Sequence, residues 1–220
     1  MFALMTMTLE PPLVQSPHST VLHGISWSTY EALLQDLGSQ RVFLTYDRGE
    51  LEIMPPLPIH ERWTSVLRWL VEAISDELGI SIKTYGSATF RREDLDRGLE
   101  PDSCYYVQHA PQMIAKDDLD LSKDPPPDLA VEVDITHRSI AREPIYAALR
   151  IPELWRFDRR RLCFLLLAGN GEYEEIARST AFPFLDSTVA SNFLATLPSG
   201  DDSTIRKIIR QWVRETFVSG

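Results

Sequence analysis

The sequence predicts an α/β (α+β) fold, in which a mixed central β-sheet is flanked by α-helices. Two observations predict it. Stretches in which apolar residues recur at steps of three and four alternate along the chain with short runs of strand-forming residues. The 220 residues also include 44% hydrophobic and 25% charged residues, a composition typical of a globular chain that buries a full core. We therefore expect one main domain with small appendages.

The first half of the chain is predicted to begin with a loose segment over residues 1–25, which contains prolines and shows no periodicity. A short serine-capped helix should follow and end near Leu37, and residues 42–54 should form a β-hairpin. Over residues 61–78 the apolar residues recur at helical spacing, which predicts a long amphipathic helix that ends at Gly79.

The second half of the chain is predicted to combine short strands with two further helices. Strand-forming runs cover residues 80–85, 88–91, 103–107 and 129–133. A helix is expected to start after Thr136 and to end near Leu149, with Pro144 tolerated only in its first turn. Residues 154–167 predict a buried hairpin, and residues 203–218 predict an amphipathic C-terminal helix.

The composition argues against several classes of protein. The longest unbroken apolar run, residues 162–168, is far shorter than the roughly 18 residues that crossing a bilayer requires. The N-terminus does not resemble a signal peptide, so we expect a cytoplasmic protein with no membrane partner. The two cysteines, Cys104 and Cys163, form no CxxC pair, so neither a disulfide framework nor a thiolate zinc site is predicted.

The net charge of −10, taken alone, argues against a nucleic-acid partner, but the charge is unevenly distributed. Residues 93–134 contain twelve acidic and three basic side chains, a net charge of −9. Residues 137–161 instead carry a net charge of +4, and such a strip could follow a phosphate backbone, with Arg138 and Arg150 as candidate nucleic-acid contacts. The alternative is a solvated helix face and an exposed hairpin turn at residues 159–161.

Acidic side chains occupy two of the predicted strands. Strand alternation places Glu132 and Asp134 on one face and the neighbouring valines on the other. If this strand lies beside the one that follows Asp102, then Asp102 and Glu132 converge, and a cation would neutralise their mutual repulsion. Mg²⁺ binds through one or two carboxylates, waters and phosphate oxygens, so metal-assisted phosphodiester hydrolysis follows as a reaction class.

A structural role for the same acids is the alternative. An aspartate that follows proline at the start of a strand, as Asp102 does, is commonly a turn residue. A single glutamate in an apolar strand, as Glu132 is, commonly faces solvent at a sheet edge. Spacing alone therefore leaves both a metal site and a structural role open.

Five blocks of sequence, in a fixed order, resemble a known family. They are WSTYE from residue 27, YDRGELEIMP from residue 46 with His60, EPDSCYYV from residue 100, PDLAVEVD from residue 127, and Tyr146 with IPELW from residue 151. Together they resemble the Uma2 family over roughly residues 26–186. The resemblance implies a restriction-endonuclease-like core of the PD-(D/E)XK nuclease superfamily. We expect that domain over residues 26–190, followed by an amphipathic helical extension over residues 191–220.

The resemblance implies a set of metal ligands on two adjacent central strands. Asp102 matches the superfamily's first ligand, Glu132 matches the second, and the carbonyl of Val133 is the implied third. The implied cofactor is Mg²⁺ or Mn²⁺, and the implied substrate is DNA. A homodimer is an expectation from the resemblance alone, because related nucleases often pair to cut both strands.

The sequence departs from the superfamily at its catalytic lysine. Asp134 stands at the superfamily's lysine position, and the family's own lysine position, four residues before Tyr146, is occupied by Arg142. Arginine keeps the positive charge that steadies an anionic phosphorane, but it cannot act as a base because its pKa stays above about 12. Asp134 is either an additional metal ligand or a loop acid that precedes a helix.

The start of the long helix carries two candidate accessory residues, His60 and Glu61, and Tyr146 is a third. The superfamily often places an accessory acid at the start of this helix, and the Uma2 family commonly shows a histidine there. A glutamate at a helix start also complements the helix dipole without any catalytic role, so both interpretations of Glu61 stay open.

These observations give the hypothesis of a Mg²⁺- or Mn²⁺-dependent endonuclease that hydrolyses DNA phosphodiesters, with Asp102, Glu132, Arg142 and Asp134 as its catalytic residues. The first alternative is a nuclease-fold protein without catalysis that acts as a binding or assembly module, favoured by the missing lysine and the overall acidity. The second is a metal-free acid/base hydrolase that uses Glu132 and Asp134 and would need a deep sugar-binding pocket.

Overall fold

The computed structural model of the chain describes residues 19–38, 40, 42–135 and 139–218. Within these residues the chain forms a five-stranded sheet, a six-stranded sheet and six α-helices. The larger sheet contains both parallel and antiparallel neighbours and packs against helices, which confirms the predicted α/β (α+β) class. None of the described helices is both long and apolar enough to cross a membrane.

The smaller sheet is antiparallel throughout and is here called the hairpin sheet. Its strands are β1 (Thr20–His23), β2 (Phe43–Asp47), β3 (Glu50–Met54), β5 (Phe90–Arg92) and β6 (Arg97–Leu99). They lie in the order β1-β3-β2-β6-β5. Helix α1 (Trp27–Leu37) packs on this sheet, and the Tyr30 ring stacks on that of Tyr46 at a centroid distance of 4.9 Å. The hydroxyl of Ser26 caps α1 by accepting from the Thr29 backbone N–H, as expected of a serine cap.

The larger sheet is here called the core sheet. Its strands are β4 (Lys83–Gly86), β7 (Ser103–Tyr106), β8 (Leu129–Val133), β9 (Glu153–Phe157), β10 (Leu162–Leu167) and β11 (Tyr173–Ile176). They lie in the order β11-β10-β9-β8-β7-β4, with β8 and β9 parallel and the other neighbours antiparallel. Because parallel neighbours need a crossover connection, the chain leaves the sheet between β8 and β9.

The remaining helices surround the core sheet. They are α2 (Pro58–Leu78), α3 (Ala110–Met113), α4 (Glu143–Ala148) within the β8–β9 crossover, α5 (Ser187–Thr196) and α6 (Asp202–Val213). A 3₁₀ turn covers Glu93–Leu95, and a π-helical turn over Arg214–Val218 follows α6.

Helix α2 is positioned by an apolar stripe that packs against the core sheet. Leu67, Leu70 and Ile74 recur at helical spacing, are fully buried, and belong to one cluster with Val131 and Trp155 of the sheet. Burial of each such leucine side chain stabilises the fold by about 1.5–3 kcal/mol. This packing fixes α2 over the sheet, so that its first turn lies beside the residue that precedes β7.

The structure differs from the sequence predictions at several elements. Helix α4 begins at Glu143 and not shortly after Thr136, because Pro144 lacks a backbone N–H and fits only the first turn. Residues 20–23, within the segment expected to be loose, form the edge strand β1, which pairs with β3. Helix α5, over Ser187–Thr196, was not predicted.

Candidate active site

The two candidate metal-ligand strands are neighbours, as the sequence analysis required. Strands β7 and β8 pair antiparallel with Ser103 opposite Val131, and continuing this register places Asp102 opposite Glu132. Asp102 is 2% exposed and Glu132 is 6% exposed. Burial of two carboxylates so close together is costly unless each has hydrogen-bonding or charged partners, and both have them.

Asp102 joins three elements of the fold. Its Oδ2 atom accepts a hydrogen bond from the backbone N–H of Val133 at 2.6 Å. The same oxygen lies 3.1 Å from Nε2 of His60, a 3% exposed residue in the first turn of α2. The carboxylate therefore connects the end of β8 and the start of α2 to the residue before β7.

Glu132 is held from the opposite side by the crossover that contains α4. Its Oε1 atom lies 2.9 Å from Nη2 of Arg142 and also accepts a hydrogen bond from the hydroxyl of Tyr146. Nη2 of Arg142 lies 3.3 Å from the same hydroxyl and donates to the backbone carbonyl of Glu100. The carboxylate, the guanidinium and the phenol thus form one closed set of contacts, which also includes the segment that leads to Asp102.

Arg142 is a buried cation, 7% exposed. Burial disfavours its charged form, but the carboxylate of Glu132, then Tyr146 and Asp102, outweigh burial and raise the pKa of Arg142. The guanidinium is therefore charged at every physiological pH. Its Nε and Nη1 atoms are buried and have no hydrogen-bond partner among the residues that the structure describes, although such donors are normally satisfied.

Tyr146 acts here as a neutral hydrogen-bond donor. Burial raises the pKa of the Tyr146 phenol well above its ordinary value, Arg142 lowers it, and the nearby Glu132 carboxylate raises it further. The hydroxyl therefore keeps its proton and donates a hydrogen bond to Glu132. Both partners of Glu132 within the crossover are buried, so their positions are defined by packing.

The two candidate accessory residues at the start of α2 lie in different environments. His60 faces Asp102, whereas the Glu61 side chain is 41% exposed, with Oε1 3.9 Å from Nδ1 of His60. Glu61 and Glu100 line a cavity of about 390 Å³ beside the site, together with Phe43 and other residues. Burial raises the pKa of Glu100, and a hydrogen bond from Thr89 and the charge of Arg142 partly offset this.

Asp134 and Arg150 lie outside this set of contacts. Asp134 is half-buried, and its backbone N–H continues the β8–β9 pairing by donating to the carbonyl of Phe157 at 2.7 Å. Arg150 is exposed and follows Leu149, the C-cap of α4, with a φ of 60°. Arg138 lies outside the described residues.

The sequence analysis missed Glu52 of β3, a 1% exposed carboxylate. Its Oε1 accepts from the backbone N–H of Ser139 at 2.8 Å and its Oε2 from that of Ile140 at 3.5 Å. Glu52 therefore anchors the segment that connects β8 to Arg142. The available signal was a single acid between two apolar residues of a predicted hairpin strand, Leu51 and Ile53.

A second unpredicted residue, Arg97 of β6, fixes the start of α4. Its Nε lies 2.8 Å from Oδ1 of Asp47, and its Nη1 donates to the carbonyl of Pro144 at 3.0 Å. Asp47 also pairs with Arg48 at 3.0 Å. The hairpin sheet thereby supports the crossover segment from which Arg142 and Tyr146 project.

The side chains of the site offer carboxylate oxygens, which are ligands for hard cations. Within residues 19–38, 40, 42–135 and 139–218, no three or more His, Cys, Asp or Glu side chains are grouped so that they could hold a metal ion. Two carboxylates with water and phosphate oxygens are nonetheless a usual set for Mg²⁺, whereas a structural zinc site needs four nitrogen or sulfur ligands. The arrangement therefore suits a divalent cation that also contacts a phosphate.

The comparison with protein-family models gives a match to the Uma2 family, described as "Putative restriction endonuclease", over residues 27–197. No curated protein matches the chain. The matched stretch runs from the start of α1 to just beyond α5 and includes both candidate ligand strands and α4. Since the match covers well over half of the 220 residues, the chain belongs to the Uma2 family.

Proposed function

We propose that this protein is a Mg²⁺- or Mn²⁺-dependent endonuclease that hydrolyses DNA phosphodiester bonds. The observation that carries the proposal is the pair of buried carboxylates, Asp102 and Glu132, on adjacent strands of the core sheet beside the buried guanidinium of Arg142. Membership in a family of restriction-endonuclease type supports a nuclease function. Metal dependence, the substrate and the residue roles are the proposal itself.

The residues present fit the metal that the family implies. Asp102 and Glu132 would hold it through carboxylate oxygens, and the carbonyl of Val133 is the proposed third ligand. A divalent ion bound there supplies a water of lowered pKa and positive charge beside the phosphate. Asp134, two residues beyond Glu132, is the proposed additional acid of the site.

The chain's own residues would orient these groups. His60 can hold the Asp102 carboxylate by donating from Nε2, and Tyr146 holds Glu132 and Arg142 in one arrangement. Arg142 would use its Nε and Nη1 donors, which have no partner in the part of the chain that the structure describes, to stabilise the negative charge that develops on the phosphate. Since its guanidinium cannot accept a proton, Arg142 is not the base of the reaction.

The proposed DNA contacts are cations on either side of α4 in the sequence. Arg150, which follows α4, is exposed, and Arg138, which precedes α4, is the second candidate. Arg159 and Arg160, at the exposed turn between β9 and β10, extend the same basic stretch. The acidic loop between β7 and β8 would repel a phosphate backbone, so the proposal requires bound DNA to avoid this loop.

The second candidate function is a nuclease-fold binding module without catalysis. The observation in its favour is that Arg142 already neutralises Glu132, so the site has a counter-charge without any metal. A module of this kind would bind DNA or a protein partner but would not cleave DNA with any metal ion.

Cleavage of supercoiled plasmid in Mg²⁺ or Mn²⁺ distinguishes the two functions. We expect the wild-type protein to nick or linearise the plasmid and Asp102→Asn and Glu132→Gln to lose this activity. Asp118→Asn removes an exposed acid from the same acidic stretch and serves as the matched control, which should cleave normally. Cleavage that persists in both site variants would place the activity elsewhere, and no cleavage by the wild type in either metal would favour the binding module.

A further inference from the structure

The buried cation of the site touches a carboxylate that the proposed metal also needs. Nη2 of Arg142 lies 2.9 Å from Oε1 of Glu132, and both side chains are more than nine-tenths buried. Two unit charges at this distance interact far more strongly in a buried environment than they do in water. A divalent ion that binds Glu132 therefore meets a resident positive charge.

The guanidinium is held in place by more than its ion pair. Nη2 also lies 3.3 Å from the hydroxyl of Tyr146 and donates to the carbonyl of Glu100. The guanidinium carbon lies 5.7 Å from the centroid of the Tyr146 ring, within range of a cation–π contact. The charge cannot be moved into solvent without loss of these contacts, so it persists when a second cation arrives.

Both hydrogen-bond donors to Glu132 described above act on the same oxygen. Tyr146 and Arg142 each contact Oε1. A cation that binds this carboxylate must therefore share Oε1 with two donors or bind through Oε2. The donor that carries a charge, Arg142, opposes the cation electrostatically, whereas neutral Tyr146 does not.

We propose that Arg142 is the internal counter-cation of the site. A divalent metal ion competes with the guanidinium for the Glu132 carboxylate, so Arg142 sets the affinity of the site for the metal. This inference rests on the proposed metal-dependent function and assigns the residue that weakens metal binding. It also accounts for the guanidinium donors Nε and Nη1, which lack a partner among the described residues, because they leave one side of the cation available to an anion that arrives with the metal.

The test is calorimetric titration of the full-length protein with Mn²⁺ alone. Arg142→Met removes the charge and keeps an unbranched chain of similar length, and it should bind Mn²⁺ about tenfold more tightly or better. Arg142→Lys keeps the charge and should stay within about threefold of the wild type. Tyr146→Phe, the matched control, removes a neutral donor to the same oxygen and should change affinity far less than Arg142→Met.

A measurement on the wild-type protein keeps the inference testable if Arg142→Met does not fold. The arginine Nε–H resonances can be followed by ¹⁵N nuclear magnetic resonance, and the signal absent from Arg142→Lys identifies Arg142. Saturating Mg²⁺ should shift this signal. An unshifted signal at saturation would overturn the inference.

The titrations also separate this inference from the proposed function. One outcome would overturn the counter-cation role and leave the metal-dependent function standing. In it, Arg142→Met binds Mn²⁺ no more tightly than the wild type, and Asp102→Asn abolishes the binding that the wild type shows. Absence of Mn²⁺ binding in the wild type and in every variant would overturn both. Tighter binding by Arg142→Met supports both, because it requires a metal site at Glu132.

Discussion

Oδ2 of Asp102 accepts a hydrogen bond from the backbone N–H of Val133 at 2.6 Å. The bond joins the residue that precedes β7 to the last residue of β8, and it lies within the buried part of the core sheet. Asp102 therefore has a structural partner in addition to any metal. A substitution at this position must keep the acceptor if its effect on chemistry is to be separated from its effect on folding.

Asp102→Asn keeps one carbonyl oxygen that can accept from Val133, but it removes the negative charge. We expect the Mn²⁺ affinity to fall at least about 10–100-fold, because a neutral amide is a much poorer ligand for a hard cation. Calorimetric titration with Mn²⁺ measures this. Asp118→Asn should bind as the wild type does, and unchanged affinity in Asp102→Asn would remove this residue from the metal site.

Tyr146→Phe removes the hydroxyl that contacts both Glu132 and Arg142. The free energy of unfolding should fall by about 1–3 kcal/mol, because two buried polar groups lose a partner. Urea denaturation monitored by circular dichroism gives the value. Tyr85→Phe is the matched control: its hydroxyl donates to the carbonyl of Lys116 at 2.9 Å in a partly exposed position, so the loss should be smaller.

Glu52→Gln tests whether the β3 carboxylate supports the segment that leads to Arg142. The amide keeps one acceptor but turns an NH₂ group towards a backbone N–H of Ser139 or Ile140. We expect the free energy of unfolding to fall by about 1–3 kcal/mol and plasmid cleavage to slow. Glu50→Gln, at an exposed position of the same strand, should leave stability and cleavage near the wild-type values.

Asp47→Asn tests whether the pairing of Asp47 with Arg97 supports α4, and the quantity measured is the pH dependence of stability. Partial burial raises the pKa of Asp47, but hydrogen bonds from Arg97 and Arg48 outweigh burial, so the folded-state pKa lies below the ordinary value of 3.8. The ion pairs therefore contribute stability above about pH 4 and lose it as the pH falls through the lowered pKa. Asp47→Asn should be less stable than the wild type at pH 7, and the difference should shrink towards pH 3. A difference in urea denaturation that is the same at both pH values would contradict this.

Arg150→Gly separates backbone strain from DNA contact. Arg150 has a φ of 60° just after Leu149, the C-cap of α4, and glycine adopts this conformation without a Cβ penalty. The variant should be more stable by up to about 1 kcal/mol and should bind DNA more weakly, with a smaller dependence on salt. Arg91→Ala, which removes an exposed cation from the hairpin sheet, should keep the wild-type affinity in fluorescence anisotropy.

The parts of the site that the sequence predicted are those with a local signal. The run around Glu132 alternates as a strand, α2 shows helical spacing, and Asp102 follows a proline before a second strand. The structure confirms that β7 and β8 are neighbours. Family resemblance supplied Arg142 as a candidate, because nothing in its own surroundings marks it as a buried cation.

The parts that could not be predicted depend on distant contacts. Glu52 accepts from Ser139, 87 positions later in the chain, and no periodicity reports such a pairing. Arg97 lies in the three-residue strand β6, too short for alternation to be visible, and donates to Pro144. The limits of α4 likewise follow from Pro144 and from packing, not from an apolar stripe.

The two halves of the site differ in the length of chain that must close to form them. Glu132 meets Arg142 and Tyr146 ten and fourteen positions later, whereas Asp102 meets His60 forty-two positions earlier. Because the entropy lost on loop closure grows with loop length, the Glu132 half is the less demanding to assemble. A partly folded chain in which Glu132 has met only the crossover would hold one carboxylate already neutralised by its own guanidinium. The complete pair then exists only when α2 and β7 have docked.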